Sequence, residues 1–391
     1  MLFCKNLTET VVKVMKKKIL IVTQSEGGGL RRHLVELLKN IDQNKFDLYF
    51  MFNSKNADTI FLNEMDELSE YTELIDIPTF VREINFKSDL KTYRFISKWI
   101  KKNNPDIVHA HSSKAGVIAR LAAKRHGIKK IFYTPHAYSF LAPEFSNNKK
   151  KLFIIIERFL SKYATNQTFA VSVGEQKKAL QYKIDSIDKI KVIYNGLPTV
   201  KLPTKEEARR ILSLPEDAFI IGNNARLTTQ KNPLAFVEVA KQVVLEKPSS
   251  IFVWIGDGPL EYSVKAKVKE YNLEKNVRFY GFRKDSDIIV VAYDLFLFTS
   301  LYEGLPYAPL EALRAKVPVI ATNVTGNCEV IDNKVTGHLV SNDMVNEAAK
   351  IIIDAINGEN SITPETIEKN FEKKFSINTM IKKIEKNYCE E

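Results

Sequence analysis

Cysteine is scarce. Cys4, Cys328 and Cys389 lie far apart in 391 residues and form neither a disulfide framework nor a zinc-ligand spacing, so a reducing cytoplasm is expected. Long apolar runs are absent too: none reaches the roughly 20 residues that span a bilayer. The first apolar stretch is broken by charges and no small-residue cleavage site follows it, so no signal peptide is expected. There is no HExxH pair, which speaks against a zinc hydrolase, and no full G-x-G-x-x-G, which speaks against a dinucleotide enzyme. Low-complexity runs and sequence repeats are missing. No helix-turn-helix pattern or aromatic-interleaved basic motif points to nucleic acid.

What is present suits two globular domains: 45% apolar residues, 27% charged residues and a length beyond one ordinary core. The net charge of +11 is unevenly spread. Residues 1–198 carry 33 Lys+Arg against 20 Asp+Glu, and the remainder carries 25 against 27. A basic first half suggests an acidic surface for that half alone, such as an anionic membrane face; solvated lysines on amphipathic helices are the plainer alternative. The sharpest candidate is Lys149-Lys150-Lys151-Leu152-Phe153 with the loop Phe140 to Asn148. Against it, helical spacing also lets Leu152, Phe153, Ile156 and Phe159 pack on a sheet.

Met15 directly precedes KKKILIVTQS, so residues 1–14 are set aside from the fold. Short β-rich runs then alternate with helical stretches: 17–24, 46–52, 72–78, 106–111, 131–136, 167–172 and 191–196 read as strands. The pattern restarts with 218–225, 252–256, 277–282, 295–300 and 317–322. Such alternation predicts two α/β domains, each a doubly wound, Rossmann-like parallel sheet, facing a central cleft. We place them at 15–197 and 198–375, with a C-terminal helix, 376–391, crossing back to the first. The boundary, NGLPTVKLPTKEE, holds two prolines and opens a capped helix. Ligands in such sheets bind at the carboxyl ends of the strands.

The chemistry-bearing segments sit at those ends. In TSLYEGLPYAPLEAL (299–313), Glu303 and Glu311 are eight residues apart, one on a loop and one early in a helix. Carboxylates accept from sugar hydroxyls, and a Gly/Pro loop at a helix N-terminus offers N–H groups to a diphosphate. The alternative is a capping carboxylate beside an exposed helical one. NNARLTTQKN (223–232) places Arg226 and Lys231 across a loop. Two fixed cations suit a diphosphate leaving group, against scattered surface charges. SEGGGLRRH (25–33) puts Gly27, Gly28 and Gly29 between a strand and a helix, where backbone can approach a phosphate.

His109 and His111 end one strand and are expected on opposite faces; His136 ends another, beside the cleft. A zinc site built from these three is the rival reading, disfavoured because no cysteine partner or helical i,i+4 pair accompanies them. Asp285-Ser286-Asp287 is expected to cap a helix rather than hold a metal.

As a set, the glycine-rich first turn, HAHSSKAGVIARLAA, YTPHAYSF, VIYNGL, GNNARLTTQKN, WIGDGPLE, FYGF and EGLPYAPLEAL resemble glycosyltransferase family 4, the retaining GT-B enzymes. The likeness runs from about residue 17 to 375. Within the family, the histidine motifs look like members that build capsular, exopolysaccharide or lipid-linked glycans. The resemblance implies that Arg226 and Lys231 bind the donor diphosphate, Glu311 the ribose, and Glu303 with Gly304, Leu305 and Pro306 the donor sugar. It places His136 by the sugar and acceptor hydroxyl. Gly27 to Gly29 would lie against the donor phosphate, Gly256 to Gly258 below the nucleotide, and Phe282 and Arg283 by the base. A UDP-sugar donor is expected ahead of a GDP-sugar. Cations at the diphosphate stand in for a metal, so no metal or other cofactor is expected. A cytoplasmic enzyme is expected, which the basic first half would let sit peripherally on the inner face of the plasma membrane. One departure stands out: the family commonly has Gly-Phe-Gly-Leu after the first Glu, whereas this chain has Gly-Leu-Pro-Tyr, and Tyr307 reshapes the sugar pocket. A GT-B-fold sugar-nucleotide epimerase and a non-catalytic sugar-nucleotide-binding protein are the alternatives. A glycan phosphorylase ranks lower, for want of length and a cofactor lysine.

Overall fold

The computed structural model describes residues 16–24, 28–57, 59–81, 84–142, 145–341, 344–359 and 362–390. Residues 1–14 and Gly27 therefore lie outside the described residues.

The first sheet has seven parallel strands: β1 (Lys17–Val22), β2 (Phe46–Phe52), β3 (Glu73–Asp76), β4 (Ile107–His111), β5 (Lys130–Thr134), β6 (Gln167–Ala170) and β7 (Ile190–Val192). Its order is β3-β2-β1-β4-β5-β6-β7. The second holds β8 (Ile220–Asn224), β9 (Ile251–Ile255), β10 (Val277–Phe279), β11 (Leu295–Phe298), β12 (Val319–Thr322) and β13 (Gly337–Val340), in the order β10-β9-β8-β11-β12-β13. Every β4 and β9 residue is buried. Helices cover both faces of such sheets, so the strands read as continuous apolar runs rather than alternating ones. Each sheet carries one apolar cluster per face.

Both sheets reverse their winding direction beside their first strand, between β1 and β4 and between β8 and β11. That reversal opens a crevice at the strands' carboxyl ends. The loops leaving β1, β4, β8 and β11 are therefore where chemistry is expected.

Two chain crossings join the halves side by side. Leu197 N–H donates to Phe375 O, and Ile377 N–H donates to Leu197 O, each at 2.9 Å. Gly196 lies so close that an added Cβ would sit 2.8 Å from Ile377 Cα. The second half opens with a helix capped as the sequence suggests: Thr204 and Glu207 form a reciprocal capping box. The last helix, Ile377–Cys389, packs Met380, Ile384 and Tyr388 into the first sheet's core.

Candidate active site between the sheets

The turn after β8 and the loop after β11 are built as one unit. Thr299 Oγ1 donates to Lys231 O at 2.8 Å, Leu301 N–H to Gln230 O at 2.8 Å, and Gln230 Nε2 to Tyr302 O at 3.0 Å. These bonds set Lys231 Nζ against Glu303 Oε1, with the ammonium 4.9 Å from the Phe298 ring centroid. The pair is nearly desolvated, at 17% and 7% side-chain exposure. Solvent screens it far less than a surface pair.

Lys231 and Glu303 line a cavity of about 340 Å³ between the two halves. Gly28, Gly29, Gly304, Leu305, Pro306 and Glu311 line it too. Its wall includes the start of the helix Tyr307–Arg314, whose first N–H groups have no intrahelical acceptor. Removal from water pushes the Glu311 carboxyl up to about 7, with Asp287 adding to the rise and Arg32, Arg314 and Arg31 opposing it. Arg32 pairs with Glu36 at 2.9 Å and reaches Asp287 in the other half at 3.5 Å; Arg314 meets the same Asp287 oxygen at 3.2 Å. A second contact between the halves is made by Glu329, which accepts from Val173 N–H at 2.5 Å and Gly174 N–H at 2.6 Å.

Three lining residues escaped the sequence reading or were read only as a departure. Arg31 and Arg32 follow the glycine turn and bring cations to the first-half wall. Their position one turn into a helix that starts at a strand's carboxyl end was the available signal. Tyr307 packs toward Gly29, where an added Cβ would meet its ring at 3.6 Å, and its buried hydroxyl has no hydrogen-bond partner among the described residues.

The loop's backbone is held by Gly326, where a Cβ would fall 2.4 Å from Gly304 O and 3.0 Å from Glu303 C. Neither atom can yield without moving the loop. Gly326→Ala is therefore expected to lower turnover on the order of 10²-fold, as a misplacement of about 1 Å does. Circular dichroism should show the fold retained. Unchanged turnover would mean that the Glu303 loop tolerates displacement.

The histidines form a cluster unlike the one the sequence suggested. His109 and His111 lie two apart in one strand, which places them on the same face; their ring centroids are 4.0 Å apart, which corrects the expectation of opposite faces. His109 is held by Tyr388 Oη at 2.6 Å and Thr134 Oγ1 at 2.8 Å. His33, from the helix after the glycine turn, takes its place: His33, His111 and His136 have ring nitrogens within 4.8 Å of one another. The spacing would let them share an ion. One nitrogen of each ring is engaged: His111 Nδ1 meets His136 Nε2 at 3.1 Å, and His33 Nδ1 meets Asn195 Oδ1 at 3.0 Å; His33 Nε2 and His111 Nε2 are buried without a hydrogen-bond partner among the described residues. Burial lowers all three imidazole pKa values, that of His33 to about 4, so the cluster is neutral at pH 7. His136 and Ala137 both have positive φ, 53° and 78°. The buried Glu175 carboxylate anchors this turn by accepting from Ala137 N–H at 2.7 Å.

Other sequence candidates lie outside the cavity lining. Arg226 is exposed at its edge of the second half. Gly256 has φ +133°, and its N–H donates to Gly281 O at 2.7 Å, which folds the turn under β8. Phe282 is 57% exposed. Arg283 is engaged by Asp285, at 2.9 and 2.7 Å. Asp285 therefore makes no side-chain cap, and the helix it precedes is only four residues long; Asp287 serves Arg32 and Arg314. The capping role expected for this Asp-Ser-Asp gives way to ion pairing.

Two parallel sheets with a cleft of cationic and acidic side chains between them define the GT-B fold. Residues 27–201 match the family described as Glycosyltransferase Family 4, and residues 204–374 match Glycosyl transferases group 1. An Escherichia coli protein named UDP-Gal:alpha-D-GlcNAc-diphosphoundecaprenol alpha-1,3-galactosyltransferase is 30% identical, covering 84% of this chain and 86% of that one. Bacillus subtilis putative glycosyltransferase EpsD is 30% identical over 71% and 74% of the two chains. The crystal structure of Anabaena HepE with UDP and glucose superposes at TM-score 0.76 and 21% identity, covering 95% of this chain and 99% of that one. A Rickettsia africae glycosyltransferase superposes at 0.78 with 23% identity, covering 95% and 98%. The chain belongs to glycosyltransferase family 4, and it is a glycosyltransferase of the GT-B fold.

Proposed function

We propose that the enzyme transfers a sugar, with retention of configuration, from a UDP-sugar to a lipid-linked or other glycan acceptor in surface polysaccharide synthesis. The Lys231–Glu303 pair beside Glu311 carries this reading. An ammonium has three donors and a carboxylate about four acceptor sites. Lys231 therefore keeps one bond to Glu303 and offers the rest to a diphosphate, while Glu303 still accepts from sugar hydroxyls. Glu311 accepts from the ribose, and the helix N-terminus beside it takes phosphate oxygens. Arg226 adds a second cation when the donor fills the cleft. The names of the Escherichia coli relative, with its UDP-Gal donor and diphospholipid acceptor, and of the UDP-bound neighbours support the substrate class. They rank a UDP-sugar ahead of a GDP-sugar.

In the step itself, the bond from the anomeric carbon to the phosphate oxygen breaks, and one to the acceptor oxygen forms on the same face. The acceptor's proton passes to the departing phosphate oxygen. Glu303, paired through one oxygen with Lys231, accepts from the sugar hydroxyls, and no covalent intermediate is assigned to it. His136 orients the acceptor hydroxyl as a neutral hydrogen-bonding group. The protein's contribution is positioning and stabilisation of leaving-group charge.

Cations at the diphosphate remove the need for a metal there. Transfer is expected to persist in excess EDTA, with an axial-bond (α) product from an α-linked donor by NMR. Activity that EDTA abolishes and magnesium or manganese restores, or an inverted product, would overturn this reading.

A further inference from the structure

The helix Asn147–Ala164 follows β5 and runs back along the outside of the first sheet. Its sequence allowed Leu152, Phe153, Ile156 and Phe159 to pack together on that sheet. The structure divides them. Phe153 and Ile156 are partly buried, and Phe153 meets Phe145 at 5.3 Å between ring centroids. Leu152 and Phe159 face outward with Ile155 and Tyr163, at 54%, 53%, 61% and 50% exposure. Steps of three, four and four residues place these four on one stripe of the helix. Four large apolar side chains aligned toward water are unusual on a surface with no partner.

Charge brackets the stripe. Lys149, Lys150 and Lys151 precede it, with no acidic residue in the first turn. Lys162 lies at its far end. The helix has one carboxylate, Glu157, which is turned inward and donated to by buried Arg120 at 2.8 Å. Beyond Tyr163 an open depression of about 530 Å³ is lined by Lys124, Lys129, Lys162 and Lys189, with no carboxylate in its wall. Lys189 is engaged by Asp185 at 3.1 Å. The other three lysines leave the depression basic.

We infer that this outward stripe, with the lysines at both ends and the basic depression, docks the first half flat on an anionic lipid bilayer. Apolar side chains in the middle of an 18-residue helix enter the acyl boundary, while lysines at both ends meet headgroups. The depression takes an anionic headgroup. Charge complementarity selects a bilayer over a second copy of the chain, because two such lysine-flanked faces repel each other. The second half, with no basic excess, stays off the surface. β5 ends at the cleft, so the helix begins on the cleft side of the domain and docking brings the cleft near the membrane. This goes beyond the transferase reading, since the surface stands whether or not the acceptor is a lipid.

The test is co-sedimentation of the full chain with vesicles of phosphatidylglycerol and phosphatidylcholine, against vesicles of phosphatidylcholine alone. The wild type should bind the anionic vesicles, and high salt should weaken the binding. Ile155→Asp/Phe159→Asp should lower partitioning at least about tenfold, and Lys149→Glu/Lys150→Glu/Lys151→Glu should do the same. Both variants should keep the wild-type melting temperature, since Ile155, Phe159, Lys149 and Lys151 are exposed and Lys150 is half-buried, and should keep activity on a water-soluble acceptor. Anionic binding that ignores the Ile155/Phe159 variant would overturn the inference. So would wild-type indifference to anionic vesicles, or a dimer in sedimentation velocity that this variant dissociates. Vesicle binding by a protein that transfers no sugar would sink the transferase reading and leave this one standing.

Discussion

Replacing Lys231 by alanine is expected to lower sugar transfer on the order of 10²-fold, the usual cost of one preorganised charge contact to a group that gains charge in the transition state. The same change strands Glu303, which is 7% exposed in its pair with Lys231. A lower melting temperature should accompany the lost rate, because an unpaired buried carboxylate is destabilising. Arg226→Ala supplies the contrast. Its side chain is exposed, so the melting temperature should hold while transfer falls by a similar factor. Steady-state kinetics with saturating donor, alongside thermal melts, separates the two effects. Near-normal turnover in both variants would show that the diphosphate is held elsewhere.

Nucleotide-sugar affinity is expected to fall with acidification because of Glu311. Its carboxyl is raised to about 7, chiefly by removal from water. Below that value the group holds a proton and loses acceptor capacity for ribose hydroxyls. If binding requires the carboxylate, affinity drops by about tenfold per pH unit below about 7 and levels off above it. An intact nucleotide sugar is the right probe, because its diphosphate diester does not titrate in this range. Glu311→Gln should flatten the profile, and Glu311→Ala should weaken binding at every pH. Glu303→Ala should leave nucleoside diphosphate affinity nearly unchanged while impairing transfer. Calorimetry compares the three variants, with the intact nucleotide sugar across the pH range and with UDP at one fixed pH above about 7. Equal loss of affinity at both glutamates would end the division into ribose and sugar contacts.

The sheets were legible in the sequence because parallel strands buried on both faces read as apolar runs. All seven strands of the first sheet were anticipated, although most end earlier than expected and the edge strands β3 and β7 are only partly buried. In the second sheet β13 was missed. It is Gly337-His338-Leu339-Val340, half-buried in the middle, and its glycine and histidine leave only two apolar residues, so no apolar run marks it. The Glu303–Glu311 segment was legible as chemistry because its spacing straddles a loop and a helix start. Its pairing with Lys231 was not, since that rests on Thr299 and Gln230 bonding across 68 and 72 residues of chain. His33 was invisible for the same reason: only the adjacency of β1 and β4 carries its helix to His111 and His136. The outward face of the helix Asn147–Ala164 was ambiguous because both of its sides are apolar. Burial by the sheet, not periodicity, decides which side turns out.

The central claim is group transfer from a nucleotide sugar to an acceptor, as distinct from rearrangement or simple binding of that nucleotide. Mass spectrometry of the enzyme with a UDP-sugar panel, in the presence and absence of a short-chain diphospholipid saccharide, tests it most directly. The account predicts equal amounts of nucleoside diphosphate and glycosylated acceptor with one donor, and intact donor when the acceptor is withheld. Donor converted to an isomer or hydrolysed without any acceptor, and no glycosylated product with it, would contradict the account.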